Sequence, residues 1–164
     1  MAFKFKNLSV LIADDDPSIR EITYAILEKM EFKQIHTAPS GEAALNLFKE
    51  YGHDLIITDW QMSPMDGVEL ARFIRTQNGE TPNRKVPIIV STGFTNIKMI
   101  NEARDAGVTE FLVKPFSADD LAKRITYVMN KPRPFVEEAD YIGPDRRRIK
   151  KKGFDGPYKR KEDA

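Results

Sequence analysis

Five times between Ser9 and Asn130 a short apolar run gives way to a stretch whose apolar residues recur at helical spacing. That alternation restricts the chain to an α/β fold built on a parallel sheet. The strand candidates are Val10-Leu11-Ile12-Ala13, Gln34-Ile35-His36-Thr37, Leu55-Ile56-Ile57-Thr58, residues 86–90 and Phe111-Leu112-Val113. The first, third and fourth are apolar throughout, as expected of strands covered by helices on both faces. The helix candidates span residues 17–30, 41–51, 67–76, 95–106 and 117–130; Ile19, Ile22, Ile26 and Met30 form an apolar stripe in the first, and Leu121, Ile125, Val128 and Met129 in the last. Asp16-Pro17 supplies a cap and a first-turn proline, and Ser117 with Asp120 resembles a capping box with Asp in place of Glu. Residues 77–85, with Asn78-Gly79 and Pro82, read as a polar loop.

The periodicity stops at Asn130, so the sequence divides into a domain over 1–130 and a basic, Pro/Gly/Arg/Lys-rich tail over 131–164, expected to be extended or mobile. Charge divides at the same place: 15 Lys and Arg face 18 Asp and Glu before the boundary, and 11 face 7 after it. Arg146, Arg147, Arg148, Lys150, Lys151 and Lys152 dominate the tail. A solvated segment, a docking arm for an acidic partner and a nonspecific nucleic-acid or membrane contact are all compatible with that run, with Tyr141, Phe154 and Tyr158 interleaved. Too little apolar periodicity is left for a helix-turn-helix. Gly143-Pro144-Asp145-Arg146 is nearly repeated by Gly156-Pro157-Tyr158-Lys159, which hints at a short recognition motif. The chain has no cysteine, which excludes disulfides and thiolate chemistry. The N-terminal apolar run is too short for a signal segment or a membrane span, so a cytoplasmic location without membrane insertion is expected.

In an open doubly wound sheet, ligands bind beyond the carboxyl ends of the strands. Asp14, Asp15 and Asp16 leave the first strand, Asp59 the third, Ser91 and Thr92 the fourth, and Lys114-Pro115 the fifth. A strand order 2-1-3-4-5 makes these ends neighbours. Carboxylates gathered in one crevice repel one another, and an all-oxygen set calls for a hard cation, of which Mg²⁺ fits best. Lys114 and the Thr92 hydroxyl then stand ready for the oxygens of a phosphoryl group. Singly, each residue reads as a cap, a turn or a solvated charge; Asp16 is read as a cap only.

Five stretches together resemble the receiver domain of two-component response regulators, of the CheY-like single-domain type. They are Val10 through Asp16, Asp54 through Met62, Met65-Asp66-Gly67, Pro87 through Gly93, and Phe111 through Phe116. The resemblance covers about Leu8 to Asn130 and implies a flavodoxin-like (βα)5 fold. It implies that Asp59 is the phosphoacceptor, receiving its phosphoryl group from a sensor histidine kinase or phosphotransfer protein. It further implies that Asp14, Asp15, Asp59 and the main-chain carbonyl of Gln61 hold Mg²⁺, and that Lys114 and Thr92 bind the phosphoryl group. Thr92, swinging inward to hydrogen-bond the phosphoryl group, and Phe111, following it from exposed to buried, would be the switch, altering the surface of the fourth helix, fifth strand and fifth helix for an unknown protein target. Such a protein autocatalyses its own phosphorylation and dephosphorylation and is not a turnover enzyme.

This sequence departs from the family pattern in two ways: Ser63 separates Met62 from Pro64, and Phe111 replaces the commoner Tyr. Gln61 and Phe94 occupy positions that in the family flank the route of attacking water, so the resemblance implies that they tune phosphoryl lifetime. A haloacid-type phosphatase expects a second Asp where Gln61 stands, and a pseudo-receiver would lack a pocket residue. Trp60 is either a reporter beside Asp59 or a partly exposed aromatic, and His36 and His53 carry no assigned role.

Overall fold

The computed structural model describes residues 5–76, 83–93, 96–138 and 140–146. Five parallel strands, β1 (Ser9–Ala13), β2 (Gln34–Ala38), β3 (Leu55–Asp59), β4 (Ile88–Thr92) and β5 (Glu110–Val113), stand in the order β2-β1-β3-β4-β5. They alternate with α1 (Pro17–Lys29), α2 (Gly41–Tyr51), α3 (Gly67–Thr76), α4 (Ile97–Asp105) and α5 (Ala118–Asn130). The expected doubly wound fold and strand order are both present.

Successive strand residues point to opposite faces, and each face builds its own core. Leu11, Ile56, Ile88 and Val90 pack with Phe48, Leu70, Ile74 and Ala103 under α2, α3 and α4. Val10, Ile12, Leu55, Ile57, Ile89 and Leu112 pack with Leu27, Leu121, Ile125 and Val128 under α1 and α5. Both faces are covered, which is why β1, β3 and β4 read as unbroken apolar runs. Asp16 caps α1 by accepting the Ser18 amide, and Ser117 and Asp120 form the reciprocal capping box at α5.

Two boundaries differ from the sequence reading. The fourth strand begins at Ile88 rather than Val86, because Val86 is engaged beneath the sheet: its amide bonds the Asn83 carbonyl and its carbonyl accepts from Arg75. The fourth helix begins at Ile97, since the Asn96 side chain caps it by accepting the Lys98 and Met99 amides. The polar loop read over 77–85 lies outside the described residues from 77 to 82, as do Phe94 and Thr95.

The expectation of an extended tail from 131 onward does not hold for residues 135–144. They form an antiparallel hairpin of β6 (Phe135–Glu138) and β7 (Tyr141–Pro144). The hairpin is held from outside itself, at the end of the sheet where the strands begin. Arg75, wholly buried, donates Nε to the Gly107 carbonyl at 2.9 Å and Nη1 to the Arg84 and Val86 carbonyls at 2.6 and 2.7 Å. Burial pulls this guanidinium down to about 9, which leaves it charged at neutral pH, and the Phe135 ring lies 5.5 Å from it. Tyr141 is buried and donates its hydroxyl to the Pro144 carbonyl at 2.6 Å. Arg146 pairs with Asp105 at 2.8 Å and lies over the Tyr141 ring. The basic residues Arg147, Arg148, Lys150, Lys151 and Lys152 and the second Gly-Pro sequence at 156–157 lie outside the described residues.

Candidate functional site

Asp14 follows the last residue of β1, and its main chain is held on both sides. Its amide donates to the Ala38 carbonyl at 3.0 Å, and its carbonyl accepts Arg20 Nη1 at 2.7 Å. Its carboxylate is buried, with Oδ1 accepting the Asp16 amide at 2.9 Å and Oδ2 facing Lys114 Nζ at 3.5 Å. Asp59, the last residue of β3, is also buried, while Asp15 is exposed. Oxygens of Asp14, Asp15 and Asp59 all lie within 4.8 Å of one another. The sequence-based juxtaposition of these three carboxylates is therefore realised.

Lys114 reaches the cluster from beyond β5, where its amide donates to the Thr92 carbonyl at 2.8 Å; the bond to Pro115 is cis. Its Nζ donates to Asp59 Oδ1 at 2.9 Å. Burial alone would lower the Lys114 ammonium, but the hydrogen bond and charge of Asp59, together with Asp14, outweigh it and hold the group above its ordinary 10.5. Burial raises the Asp14 carboxyl above its ordinary 3.8; the Asp16 amide and Lys114 oppose the shift, and the charges of Asp59 and Asp15 reinforce it. Three carboxylates and one ammonium leave the crevice electronegative. A cation ligated by oxygen fits that excess, and these carboxylates are the donor chemistry of a hard divalent ion.

Backbone packing fixes the position of Asp59. The Trp60 amide donates to the Ser91 carbonyl at 3.0 Å, and the Gly67 amide donates back to the Trp60 carbonyl at 2.9 Å. The start of α3 thus lies directly on the end of β3, and a Cβ at Gly67 would stand 2.2 Å from the Asp59 carbonyl oxygen. Glycine is required there by space. Asp66 and Glu69 cap α3 reciprocally: the Asp66 amide donates to Glu69 Oε1 at 2.9 Å and the Glu69 amide to Asp66 Oδ1 at 2.7 Å. The sequence reading did not single out this box, although its D-x-x-E spacing is visible.

Thr92 and Phe111 are both buried on the paired strands β4 and β5, where Phe111 stands opposite Val90 and Thr92 opposite Val113, while Gln61 is exposed two residues beyond Asp59. Trp60 is buried in the α2–α3–α4 core, which corrects the alternative of a partly exposed aromatic. The two histidines, read as unrelated, are brought together: His36 Nδ1 lies 2.7 Å from His53 Nε2. His53 is buried, and its Nδ1 has no hydrogen-bond partner among the described residues.

Comparison with known proteins agrees with this geometry. The family model described as "Response regulator receiver domain" matches residues 10–126. The chain is 31% identical over 126 residues to chemotaxis protein CheY-3 of Vibrio cholerae, covering 77% of this chain and 95% of that protein. The crystal structure of chemotaxis protein CheY4 of V. cholerae superposes with a TM-score of 0.68 at 31% identity, covering 74% of this chain and 98% of the other. The receiver domain of sensor histidine kinase PA1611 from Pseudomonas aeruginosa PAO1, whose structure has a magnesium ion coordinated in the active-site cleft, superposes with a TM-score of 0.64 at 26% identity, covering 74% and 95%. The chain therefore belongs to the response regulator receiver family of two-component signalling, and its fold is CheY-like.

Proposed function

We propose that the protein is a phosphorylation-operated switch in which Asp59 accepts a phosphoryl group from a histidine kinase or phosphotransfer partner in a Mg²⁺-dependent reaction. The observation that carries this reading is the 2.9 Å contact of Lys114 Nζ with Asp59 Oδ1 inside a cluster whose other acids are Asp14 and Asp15. Asp14, Asp15, Asp59 and the main-chain carbonyl of Gln61 would hold the ion, which supplies positive charge for the oxygens of the transferring group. An Asp59 carboxylate oxygen attacks phosphorus, its O–P bond forms as the donor's N–P bond breaks, and the leaving imidazole keeps the bonding pair. Lys114 neutralises charge on the phosphoryl oxygens, and the Thr92 hydroxyl donates to one of them. Acceptance of one group, rather than turnover, is favoured by Gln61, which stands two residues after Asp59 where a phosphatase would place a general acid.

The new charge acts through Thr92 and Phe111 on the face of α4, β5 and α5. Three exposed apolar side chains on that face, Ile97, Val113 and Tyr127, support a protein target. Output by docking to a protein target and action in the cytoplasm complete the reading. No described helix is long and apolar enough to cross a membrane. Incubation with a small phosphodonor, read by intact mass, tests the proposal. One phosphoryl group is expected on the wild type with Mg²⁺, and none without Mg²⁺ or on Asp59→Asn. Equal modification of wild type and Asp59→Asn would refute the assignment.

A further inference from the structure

We propose that the C-terminal hairpin is a second moving part of the switch: docking of Phe135–Pro144 at the base of α4 and β5 and occupancy of the phosphoryl pocket favour one another. The inference rests on the receiver reading above and adds an element that lies beyond α5.

Contacts at two places, β5 and α4, join the hairpin segment to the elements the switch uses. Arg133, in the segment entering β6, donates to the Thr109 carbonyl and lies 3.8 Å from the Glu110 carboxylate. Glu110 is buried, is also approached by Arg124 of α5 at 3.7 Å, and accepts the Phe111 amide with Oε1 at 3.1 Å. A buried carboxylate depends strongly on its cationic partners, so removing Arg133 disturbs the residue that holds the Phe111 main chain. The second contact is at α4, whose last residue, Asp105, pairs with Arg146 at 2.8 Å.

The docked surface is shaped rather than incidental. Gly107 lies at φ +97°, and a Cβ at Gly143 would stand 2.8 Å from the Gly107 Cα. The two backbones meet because neither residue has a side chain.

The sign follows from the position of Phe111. With the hairpin docked, Phe111 is 9% exposed, the inward position that the switch reading gives to the phosphorylated state. Docking and phosphorylation therefore favour the same arrangement of β5, and by linkage each strengthens the other by the same factor.

The experiment uses the full chain with Mg²⁺ and beryllofluoride, a phosphoryl analogue. Amide exchange over residues 135–144 is expected to slow by about fivefold or more when the analogue binds. Reciprocally, Arg133→Gln and Gly143→Val should each weaken analogue affinity by about the same factor, read by Trp60 fluorescence. Analogue binding that leaves hairpin exchange unchanged, or unchanged affinity in folded Arg133→Gln, overturns the coupling while leaving the receiver reading intact. Failure of the wild type to bind the analogue at all removes the receiver reading and the coupling with it.

Discussion

Replacing Gly67 with alanine tests whether the backbone seat of Asp59 is as tight as the geometry requires. The added methyl would lie 2.2 Å from the Asp59 carbonyl oxygen, with the Asp59 carbonyl carbon and Thr58 Cγ2 each at 3.1 Å. The first distance is more than about 1 Å inside ordinary contact. Its partner is backbone at the end of a fully buried strand and cannot rotate away. The start of α3 must therefore retreat, which strains the Gly67 amide bond to the Trp60 carbonyl, 2.9 Å long in the native fold. Overpacking of this kind costs about 1–3 kcal/mol and a lost buried hydrogen bond about 1 kcal/mol more. Alanine's better helix propensity returns up to about 1 kcal/mol. A net destabilisation of about 1–4 kcal/mol by urea unfolding is expected. Displacing Asp59 by a fraction of an ångström to about 1 Å should slow phosphorylation by a small phosphodonor about 10- to 100-fold. Gly93 is the control, since a Cβ there meets nothing within 4 Å, and Gly93→Ala should change stability by less than about 0.5 kcal/mol. A Gly67→Ala protein as stable and as quickly phosphorylated as Gly93→Ala would refute the reasoning.

The acid cluster gives a prediction for metal and pH together. Mg²⁺ at 100 times its Kd should add about 2.7 kcal/mol of stability, seen as a rise in Tm that EDTA and Asp14→Asn both abolish. Because the Asp14 carboxyl is raised above 3.8, its contribution to the metal-free fold is complete below 3.8 and declines as pH rises through the raised value. The Mg²⁺ increment should accordingly grow over that window, and an increment constant with pH would exclude Asp14 as a ligand. His53 carries the opposite sign. Burial first, then the charge of His36, lowers it from 6.5 to about 4, so its contribution is complete above 6.5 and is lost as pH falls toward 4. Between pH 7 and pH 4.5 the wild type should lose about 2 kcal/mol more than His53→Leu, and parallel pH profiles would refute this. Tyr141→Phe deletes the hydroxyl that donates to the Pro144 carbonyl at 2.6 Å. It should cost about 1 kcal/mol and speed hairpin exchange, and exchange at the wild-type rate would show that this bond does not hold the hairpin.

The strands and the acid cluster were legible because each signal is local. Leu55 to Ile57 is buried on both faces, so its sequence carries no alternation to confuse, and Asp59 is marked by the strand it ends. The hairpin was illegible for the opposite reason. Its strands are four residues each, contain Glu137-Glu138 and Gly143-Pro144, and follow Pro134, a composition that by itself signals a loop. The Phe135 ring lies over Arg75, which in a linear reading is an ordinary helical charge and in the fold is wholly buried. The histidine pair was missed similarly, since its members are 17 residues apart on an edge strand and in a loop.

The position of the hairpin has a consequence for how a small chain can serve two visitors. Asp59, Thr92 and Lys114 stand where the strands finish, and the hairpin packs where they start, so the two places are separated by the length of β5, about 13 Å. On the proposed reading, a kinase bent over Asp59 and a molecule bound against the hairpin would meet opposite ends of the sheet. Neither would have to depart before the other arrives.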